Sequence, residues 1–369
     1  MTARKKRITL AITNDPNYDQ RMIRICTSLH DAGYDVTLVG RRRPISAALI
    51  PRPFRQVRIP QRIDQGKLFY ALFNAKLFFY LLFKKTDAFC AIDLDTIMPV
   101  YWASLLRRKP RVYDAHELFC DIEEVASRPR LQKVWRWIER TTVPNFHGGY
   151  TVNESYVREY RRMYGVDYAV VRNATVLRPF VPPPAPAKPF ILYQGAVNKG
   201  RCFEQLIPAM KWVDYRLVIC GNGNFMEQAQ ALAKAEGVED RVEFRGYVPP
   251  EELRHITPQA TIGITLFVAT SLSNELSLAN RFFDYMHAGV PQLCVAYPEY
   301  EHINSRYEIA TLIRDITPES IAQALNGMLQ NPARMEAMRA QCMAAREEFN
   351  WQAEERRLLG VYEKLFNRQ

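Results

Sequence analysis

Residues 273–295 have the sequence SNELSLANRFFDYMHAGVPQLCV, which predicts an amphipathic helix followed by a buried strand. Apolar side chains recur there at i, i+3, i+4 and i+7, the spacing of one helix face: Ala279, Phe282, Phe283 and Met286. Ser277 is a candidate N-cap, and Gly289 followed by Pro291 predicts the end of the helix. The apolar run 292–296 is then typical of a strand inside a parallel sheet.

The opposite face of this helix has the residues that suggest a ligand. Asn280 and Asp284 are four residues apart, so both project from one face, and Arg281 lies beside them. The start of a helix has free backbone N–H groups and the positive end of the helix dipole, which favour a phosphate. A carboxylate one turn later is placed to accept hydrogen bonds from sugar hydroxyls. A solvated helix face with an ordinary polar pair explains the same spacing, and spacing alone leaves both interpretations open.

Strand candidates alternate with helical stretches along the chain, which indicates α/β domains with parallel sheets. The length of 369 residues predicts two domains. The proline-rich segment 179–189 is a predicted linker between a domain 1–178 and a domain 190–349, both Rossmann-like and doubly wound. Ligand is then expected in a cleft between the two domains, at the carboxyl ends of the strands.

Two series of strands are predicted, one on each side of the linker. The first series is 8–13, 36–40, 88–92, 111–115 and 148–152, with 170–174 leading into the linker. The second series is 190–194, 216–220, 242–246, 261–267 and 291–296. Apart from the predicted strand 36–40, the arginine-rich segment from Gly33 to Arg62 resembles a loop, and residues 318–369 are predicted to be helical.

Composition limits the compartment and the partners. The seven cysteines are scattered without a CxxC pair, which favours a reducing compartment and disfavours disulfides and structural zinc. The basic start MTARKKR precedes an apolar segment, 8–13, that is too short for a signal peptide, so we expect a cytoplasmic protein. The net charge of +11 favours an anionic partner such as a phosphate-bearing substrate or a membrane surface. Nucleic acid is disfavoured because no helix-turn-helix, zinc-finger or RNA-binding signature accompanies the charge.

Polar side chains follow three predicted strands of the first domain. They are Asp15 after the first strand, Asp93 and Asp95 after the strand 88–92, and Asp114, His116 and Glu117 around the end of the strand 111–115. If these strand ends converge, they gather carboxylates and one imidazole that suit acceptor orientation and proton handling. Ordinary helix capping by Asp explains Asp15 and Asp93 equally well. The DxD triplet 93–95 is a weak signal on its own, and we infer no metal from it.

Residues 67–85, KLFYALFNAKLFFYLLFKK, form an apolar and aromatic helix candidate flanked by lysines. One interpretation is an interfacial helix that rests on anionic lipid at the inner face of the membrane. The other is a helix packed on the first sheet with its lysines reaching solvent. The sequence leaves the two interpretations open.

Glycines follow several predicted strands of the second domain. Gly195 begins a turn that contains Asn198, Lys199 and Arg201 and precedes a helix, which suits a diphosphate. Gly221 and Gly223 follow the next strand, but Met226 replaces the third glycine of a dinucleotide fingerprint. Gly246 ends the strand after that, and such glycines let the backbone approach a ligand closely.

With these motifs in place, the chain resembles the retaining GT-B glycosyltransferases of glycosyltransferase family 4 over nearly its whole length. The segments that resemble it are YQGAVNKGRCFEQLI (193–207), SLANRFFDYMHAGVPQL (277–293), DQRMIR (19–24), DLDT (93–96) and YDAHELF (113–119). Arg201 takes the place of the family's phosphate-binding lysine, and Asp284 takes the place of the glutamate that holds the donor ribose. Two positions depart from the family: Ala196 replaces an arginine, for which Lys199 is a candidate substitute, and Leu276 replaces a glutamate, with Glu275 next to it.

The resemblance implies a retaining, metal-independent hexosyltransferase that needs no cofactor. It would move a sugar from a nucleotide diphosphate, with UDP expected, to a glycan or lipid-linked glycan during cell-surface polysaccharide or glycoconjugate synthesis. The first domain would bind the acceptor and the second the donor, and the last helix, about 350–369, would pack back on the first domain.

The resemblance and the residue patterns together give three groups of predicted site residues. The predicted catalytic residues are His116, Lys199, Arg201 and Asp284. The predicted donor-binding residues are Gly195, Asn198, Gly221, Gly223, Gly246, Tyr247, Glu275, Ser277, Leu278, Asn280 and Arg281. The predicted acceptor-binding residues are Asp15, Arg21, Asp93, Asp95, Asp114 and Glu117.

No carboxylate stands out as a covalent nucleophile of the glycosidase kind, so we expect attack on the same face of the sugar from which the phosphate leaves. Two other functions stay open. A non-catalytic relative would hold the nucleotide sugar or a glycan for another enzyme, as the two departures at 196 and 276 would allow. An epimerase of the same fold would convert the donor with no acceptor present.

Overall fold

Two parallel β-sheets organise the chain in the computed structural model, which describes residues 4–63, 65–183 and 188–367. The chain divides into two compact units, Met1–Arg172 with Glu354–Gln369 and Asn173–Ala353. This division falls slightly before the predicted boundary at residue 178. Residues 173–178 pack within the second unit, where Leu177 N donates a hydrogen bond to Gln352 Oε1. Of the predicted linker 179–189, residues 184–187 lie outside the described residues.

The first unit has a seven-stranded parallel sheet with the order β3-β2-β1-β4-β5-β6-β7. Its strands are β1 (Arg7–Ala11), β2 (Asp35–Arg42), β3 (Arg55–Pro60), β4 (Ala88–Ile92), β5 (Arg111–Ala115), β6 (Gly148–Thr151) and β7 (Ala169–Val170). Its helices are α1 (Gln20–Asp31), α2 (Gly66–Phe83), α3 (Leu94–Leu106), α4 (Glu123–Ala126), α5 (Pro129–Thr142) and α6 (Glu154–Tyr164). The strand order reverses between β1 and β4, and such a switch point is where doubly wound sheets bind ligands.

The second unit repeats this strand order in a six-stranded parallel sheet, β10-β9-β8-β11-β12-β13. Its strands are β8 (Phe190–Gln194), β9 (Arg216–Cys220), β10 (Val242–Gly246), β11 (Ile262–Thr265), β12 (Gln292–Val295) and β13 (Ala310–Ile313). Its helices are α7 (Phe203–Ala209), α8 (Met226–Ala235), α9 (Pro250–Ile256), α10 (Leu272–Glu275), α11 (Asn280–His287), α12 (Pro298–Asn304), α13 (Pro318–Leu329) and α14 (Pro332–Glu348). The switch point lies between β8 and β11. The predicted doubly wound architecture of both domains is confirmed.

The helix α11 forms where the apolar spacing predicts it. Phe282, Phe283 and Met286 are buried in the core of the second unit, and Asn280 is exposed. Gly289 adopts a left-handed φ of +66° just beyond the helix end, as predicted. The predicted N-cap is wrong, because the N-cap is Ala279 and Ser277 Oγ instead donates to Asn274 O at 2.8 Å. Within the described residues, the first turn of α11 therefore has no side-chain cap.

Two strands were not predicted, β3 and β13, and both are at sheet edges. The sequence of β3, RQVRIP, is polar and ends in a proline, so it has no apolar run; an edge strand tolerates both features. The segment 170–174 forms regular strand only at its start, in β7. The last helix, α15 (Trp351–Asn367), places Tyr362 in the core of the first unit against Tyr34 and Tyr150.

Candidate functional site

Three loops meet at the carboxyl ends of β8, β9 and β10 in the second unit. Gly195 N donates to the last residue of β9 at 3.0 Å, and Gly221 N donates to Gly246 O at 2.7 Å. A Cβ atom on Gly221 would lie 1.7 Å from Gly195 O, and one on Gly223 would lie 2.1 Å from Val197 O. The backbones therefore pack directly on one another, and four of the predicted donor-binding glycines come together at one edge of the sheet.

Arg281 of α11 reaches the turn that begins at Gly195. Its guanidinium lies 4.7 Å from the Tyr193 ring centroid, and Nη1 donates to Tyr193 Oη at 3.3 Å. Nη2 donates to Leu266 O, just beyond β11, at 3.4 Å. Arg281 is 8% exposed, and within the described parts of the chain no carboxylate forms an ion pair with it. Burying a cation without a counter-ion is costly, so the site favours an anionic ligand.

Asp284 lies one turn further along α11 and is fixed beside the same turn. Its Oδ1 accepts a hydrogen bond from Thr175 Oγ1 at 2.7 Å, and Oδ2 accepts one from Gln194 Nε2 at 3.2 Å. Gln194 is the last residue of β8 and directly precedes Gly195. Thr257 Oγ1 donates to Gln194 Oε1 at 2.7 Å, which fixes the amide orientation.

Arg201 and Lys199 lie in the loop between β8 and α7. The Arg201 guanidinium is 6.0 Å from the ring centroid of Phe267, in the same segment after β11 that Arg281 contacts. Lys199 is exposed, and Asn198 braces the loop because its Oδ1 accepts from Asn224 N at 3.1 Å. Both arginines therefore lie against the segment that follows β11.

The remaining predicted donor residues have looser connections to this turn. Asn280 is exposed at the start of α11, and Leu278 packs against the core of the unit. Glu275 ends α10 and Tyr247 follows β10; both side chains are exposed, and in the described portion of the chain neither hydrogen-bonds to the Gly195 turn.

In the first unit, the ends of β4 and β5 bring three predicted residues into one cluster. His116 Nδ1 lies 3.2 Å from Asp93 Oδ2, and Nε2 lies 3.0 Å from Asp114 Oδ2. Asp93 Oδ1 also accepts a hydrogen bond from His116 N at 2.8 Å. Arg21 Nη2 is 2.9 Å from Asp114 Oδ1, and both of these side chains are buried. Asp93 has a positive φ of +54°, a strained conformation of the kind that recurs at functional sites.

The charges in this cluster decide the protonation state of the imidazole. Burial disfavours the charged ring, but Asp114 and Asp93 outweigh it and hold the pKa of His116 well above its usual value. Burial also raises the pKa of Asp114, but the positive charges of Arg21 and His116 have the larger combined effect, so its pKa is lowered. The raised pKa favours a protonated His116 ring between the two carboxylates, which argues against a role as general base.

A cavity of about 380 Å³ lies at the switch point between β1 and β4. Its lining includes Asp93 and Asp95 together with Asn14, Arg41 and Phe69. Thr13 Oγ1 donates to Asp95 Oδ2 at 2.5 Å, and the Arg41 guanidinium lies 4.6 Å from the Phe69 ring centroid. Burial first, and then the charge of Asp93, raise the pKa of Asp95 to about 7. The site thus offers a carboxyl that ionises near neutral pH.

Two predicted acceptor-binding residues, Asp15 and Glu117, lie outside the cluster around His116. Asp15 Oδ1 pairs with Arg58 Nη2 at 2.6 Å and Oδ2 accepts from Ser46 Oγ at 2.5 Å, so it holds the loop between β2 and β3. Glu117 is exposed, and its backbone oxygen accepts from Tyr160 Oη. Across residues 4–63, 65–183 and 188–367, no group of His, Cys, Asp and Glu side chains has the arrangement of a metal site.

Sequence analysis missed several side chains that complete the two sites. Thr13, Gln194 and Thr175 each hold a carboxylate, and Arg41 and Phe69 line the cavity of the first unit. Gln194 and Thr13 could have been found, because both follow or end a predicted strand at a switch point. Thr175 and Arg41 had no such signal, since their positions depend on how distant segments pack.

The comparisons with known proteins agree on one class. Residues 20–177 match the family model described as Glycosyltransferase Family 4, and residues 179–345 match the model described as Glycosyl transferases group 1. A comparison with curated protein sequences found no matching relative.

Solved structures of glycosyltransferases have the same fold. A sucrose-phosphate synthase from Thermosynechococcus elongatus is 18% identical with a TM-score of 0.82, and the match covers 99% of this chain and 100% of that one. HepE from Anabaena in complex with UDP is 12% identical with a TM-score of 0.73, covering 97% and 100%. WaaG, a glycosyltransferase involved in lipopolysaccharide biosynthesis, is 15% identical with a TM-score of 0.70, covering 97% and 99%. The fold is therefore GT-B.

The fold and the two family matches define a glycosyltransferase. The chain belongs to the GT-B glycosyltransferases of the family 4-like kind, as the sequence resemblance predicted.

Proposed function

We propose that this chain is a retaining, metal-independent hexosyltransferase that moves a sugar from a nucleotide diphosphate to a hydroxyl group of a glycan or lipid-linked glycan. The observation that supports this most strongly is the buried Arg281 guanidinium beside the Gly195 turn, at the switch point of the second unit. A diphosphate would supply the negative charge that this buried cation lacks among the residues the structure describes. HepE and its bound UDP support a uridine donor by analogy.

The diphosphate would bind between the Gly195 turn and the uncapped first turn of α11. Arg281, Arg201 and Lys199 would neutralise its charge, and the free amides of α11 would donate hydrogen bonds to it. In this arrangement Arg281 supplies a cation to the turn where Ala196 has none. Asp284 would accept a hydrogen bond from the donor ribose. The glycines at 221, 223 and 246, with Tyr247, would leave room for the base.

The acceptor would bind in the cavity of the first unit. His116, held between Asp93 and Asp114, would fix the Asp93 carboxylate at the cavity, and that carboxylate would accept a hydrogen bond from an acceptor hydroxyl and orient it. Asp95 would add to the polar lining of the cavity. Arg21 would act indirectly, by holding Asp114 next to His116.

Transfer then proceeds on one face of the donor sugar. The bond between the anomeric carbon and the phosphate oxygen breaks, and the acceptor oxygen bonds to that carbon from the same side. The acceptor proton passes to the departing phosphate, so His116 need not act as a base. Each preorganised cation or amide on the developing phosphate charge is worth roughly 2.7–4 kcal/mol, by analogy with oxyanion holes.

The test is release of UDP from UDP-hexoses with a panel of glycan acceptors, with the anomeric configuration of the product determined by NMR. We expect a retained configuration and no loss of activity in EDTA. Arg201→Ala should lower turnover by about 100-fold or more, and Arg254→Ala, at an exposed position of α9, should leave turnover unchanged. Near-normal turnover of Arg201→Ala would remove that residue from the mechanism.

A second candidate is a non-catalytic partner that holds a nucleotide sugar or glycan for another enzyme. Two positions favour this non-catalytic function, because each replaces a charged residue of the family that the sequence resembles. They are Ala196, which is exposed, and Leu276, which is partly buried. A non-catalytic partner is expected to bind the nucleotide and to release no UDP with any acceptor. The seven cysteines are free and buried, which supports a cytoplasmic location for either function.

A further inference from the structure

An apolar stripe runs along the exposed side of α2. Leu68, Leu72, Phe79 and Phe83 recur at i, i+4, i+11 and i+15, so they share one face, and Phe79 and Phe83 are 59% and 80% exposed. The opposite face of the helix, with Phe69, Phe73, Leu77 and Leu81, is fully packed in the first unit. Large apolar side chains aligned on the surface of a folded domain mark a contact surface.

The helices α3 and α5 extend this surface, because α3 packs against both α2 and α5. Trp102, Leu105 and Leu106 are exposed at i, i+3 and i+4 near the end of α3. Val134 and Trp137 are exposed on α5. We call the exposed sides of α2, α3 and α5 the three-helix face.

The charge of the three-helix face is positive. Exposed basic side chains on these helices or just beyond their ends include Lys67, Lys85, Arg108, Arg130, Lys133 and Arg140. The acidic residues of the three helices are Asp95, which bonds to Thr13, and Glu139, which is buried against Arg136. Among the described residues, exposed carboxylates next to the face come from α4, where Glu123 and Glu124 begin a helix that packs on α5.

This mixture of side chains selects one kind of partner. Exposed Trp, Phe and Leu surrounded by Lys and Arg is the composition of helices that lie in the interface of an anionic bilayer. A second copy of the same face would bring like charges together, and nucleic acid would leave the aliphatic stripe of α2 exposed. Among the described residues, α2 is the one helix long and apolar enough to cross a membrane by length and composition. Its fully packed inner face favours lying on the surface, because crossing would expose that part of the core.

We propose that the three-helix face docks the first unit on the surface of an anionic phospholipid bilayer. The apolar stripe of α2 and the indole rings of Trp102 and Trp137 enter the headgroup boundary, and the surrounding lysines and arginines contact the lipid phosphates. This proposal does not depend on catalysis, so it is tested with no sugar donor present.

The test is co-sedimentation of the full chain with vesicles of phosphatidylcholine alone or with about a third phosphatidylglycerol. Binding is expected to the anionic vesicles only and to weaken as salt is raised. Lys133→Glu with Arg140→Glu should lower the partition coefficient by at least about 30-fold, which corresponds to about 1 kcal/mol for each basic residue near the surface. The matched control, Lys234→Glu with Arg254→Glu, changes two exposed cations of the second unit and should bind as the wild type does.

A second pair of variants tests the apolar contribution. Trp137→Glu and Trp212→Glu change two tryptophans of similar exposure, 60% and 51%, in the first and second units. Only Trp137→Glu should weaken vesicle binding, and both should keep the wild-type melting temperature. The proposal is overturned by equal binding of the two variants, or by no vesicle binding at all. It is also overturned if the face instead mediates a dimer that Phe79→Glu dissociates in sedimentation velocity, or an RNA complex that Lys133→Glu removes.

Discussion

Arg281 Nη1 lies 3.2 Å from the position that a Cβ atom on Gly195 would take. Gly195 also has a φ of +130°, which residues with a side chain rarely adopt. The turn after β8 and the helix α11 are far apart in the sequence, yet they pack so closely here that one added methyl group would contact the guanidinium. The fit depends on a glycine at 195 and a buried cation at 281.

Gly195→Ala should weaken UDP binding by about 10-fold, because the added methyl group displaces the guanidinium and strains the backbone. The matched control is Gly237→Ala. Gly237 has a φ of +68° and nothing within 4 Å of its Cβ position, so the change strains the backbone away from the turn. Both variants should lose stability in thermal unfolding, and only the first should lose affinity in calorimetry. Equal affinities would show that the turn is not part of the donor site.

Asp284→Asn should remove the preference for ribose over deoxyribose. The wild type is expected to bind UDP more tightly than 2′-deoxy-UDP, since a carboxylate accepts a stronger hydrogen bond from a hydroxyl than an amide does. The variant should bind the two with similar affinity, and Asp240→Asn, at an exposed position, should keep the wild-type preference. If Asp284→Asn also keeps this preference, the role of the carboxylate is structural, as an acceptor of hydrogen bonds from Thr175 and Gln194.

Sequence patterns predicted the sheets and the carboxylates at the strand ends, and they failed where tertiary packing decides. Strands such as 88–92 and 216–220 were predicted to the residue because the apolar run of the first ends at Asp93 and that of the second ends at Gly221. The helix start was wrong at Ser277, whose hydroxyl satisfies Asn274 O instead of an amide of α11. The pairing of Asp284 with Thr175 connects residues that are 109 positions apart, and no local pattern encodes such a contact.

His116 should remain protonated well above pH 7. A raised folded pKa means that the ion pairs stabilise the fold fully below the unfolded pKa of about 6.5, and that this stability is lost as the pH rises through the folded value. Ring ¹⁵N shifts measured at pH 8 should therefore show an imidazolium. In Asp114→Asn the ring should lose its proton at a lower pH. A neutral ring in the wild type at pH 8 would contradict the assignment of His116 as a cation between Asp93 and Asp114.

Asp95→Asn should stabilise the protein more at pH 8 than at pH 5. The pKa of Asp95 is raised to about 7, so the wild type loses stability as the pH rises from about 4 to 7, where the unfolded chain has already released this proton. Asparagine stays neutral and can still accept from Thr13. The gain in the free energy of unfolding should differ by about 2 kcal/mol between the two pH values in urea titrations. Asp240→Asn is the control, and an Asp95→Asn gain independent of pH would contradict the assignment.

The most direct test of the central claim is the ratio of the affinities for UDP and uridine, measured by calorimetry. If the diphosphate is held by cations at the Gly195 turn, the wild type should bind UDP at least about 100-fold more tightly than uridine. Lys199→Ala with Arg201→Ala should reduce the ratio to about 10-fold or less, and Lys234→Ala with Arg254→Ala should leave it unchanged. A ratio that is the same in all three proteins would contradict the claim that this turn binds the donor diphosphate.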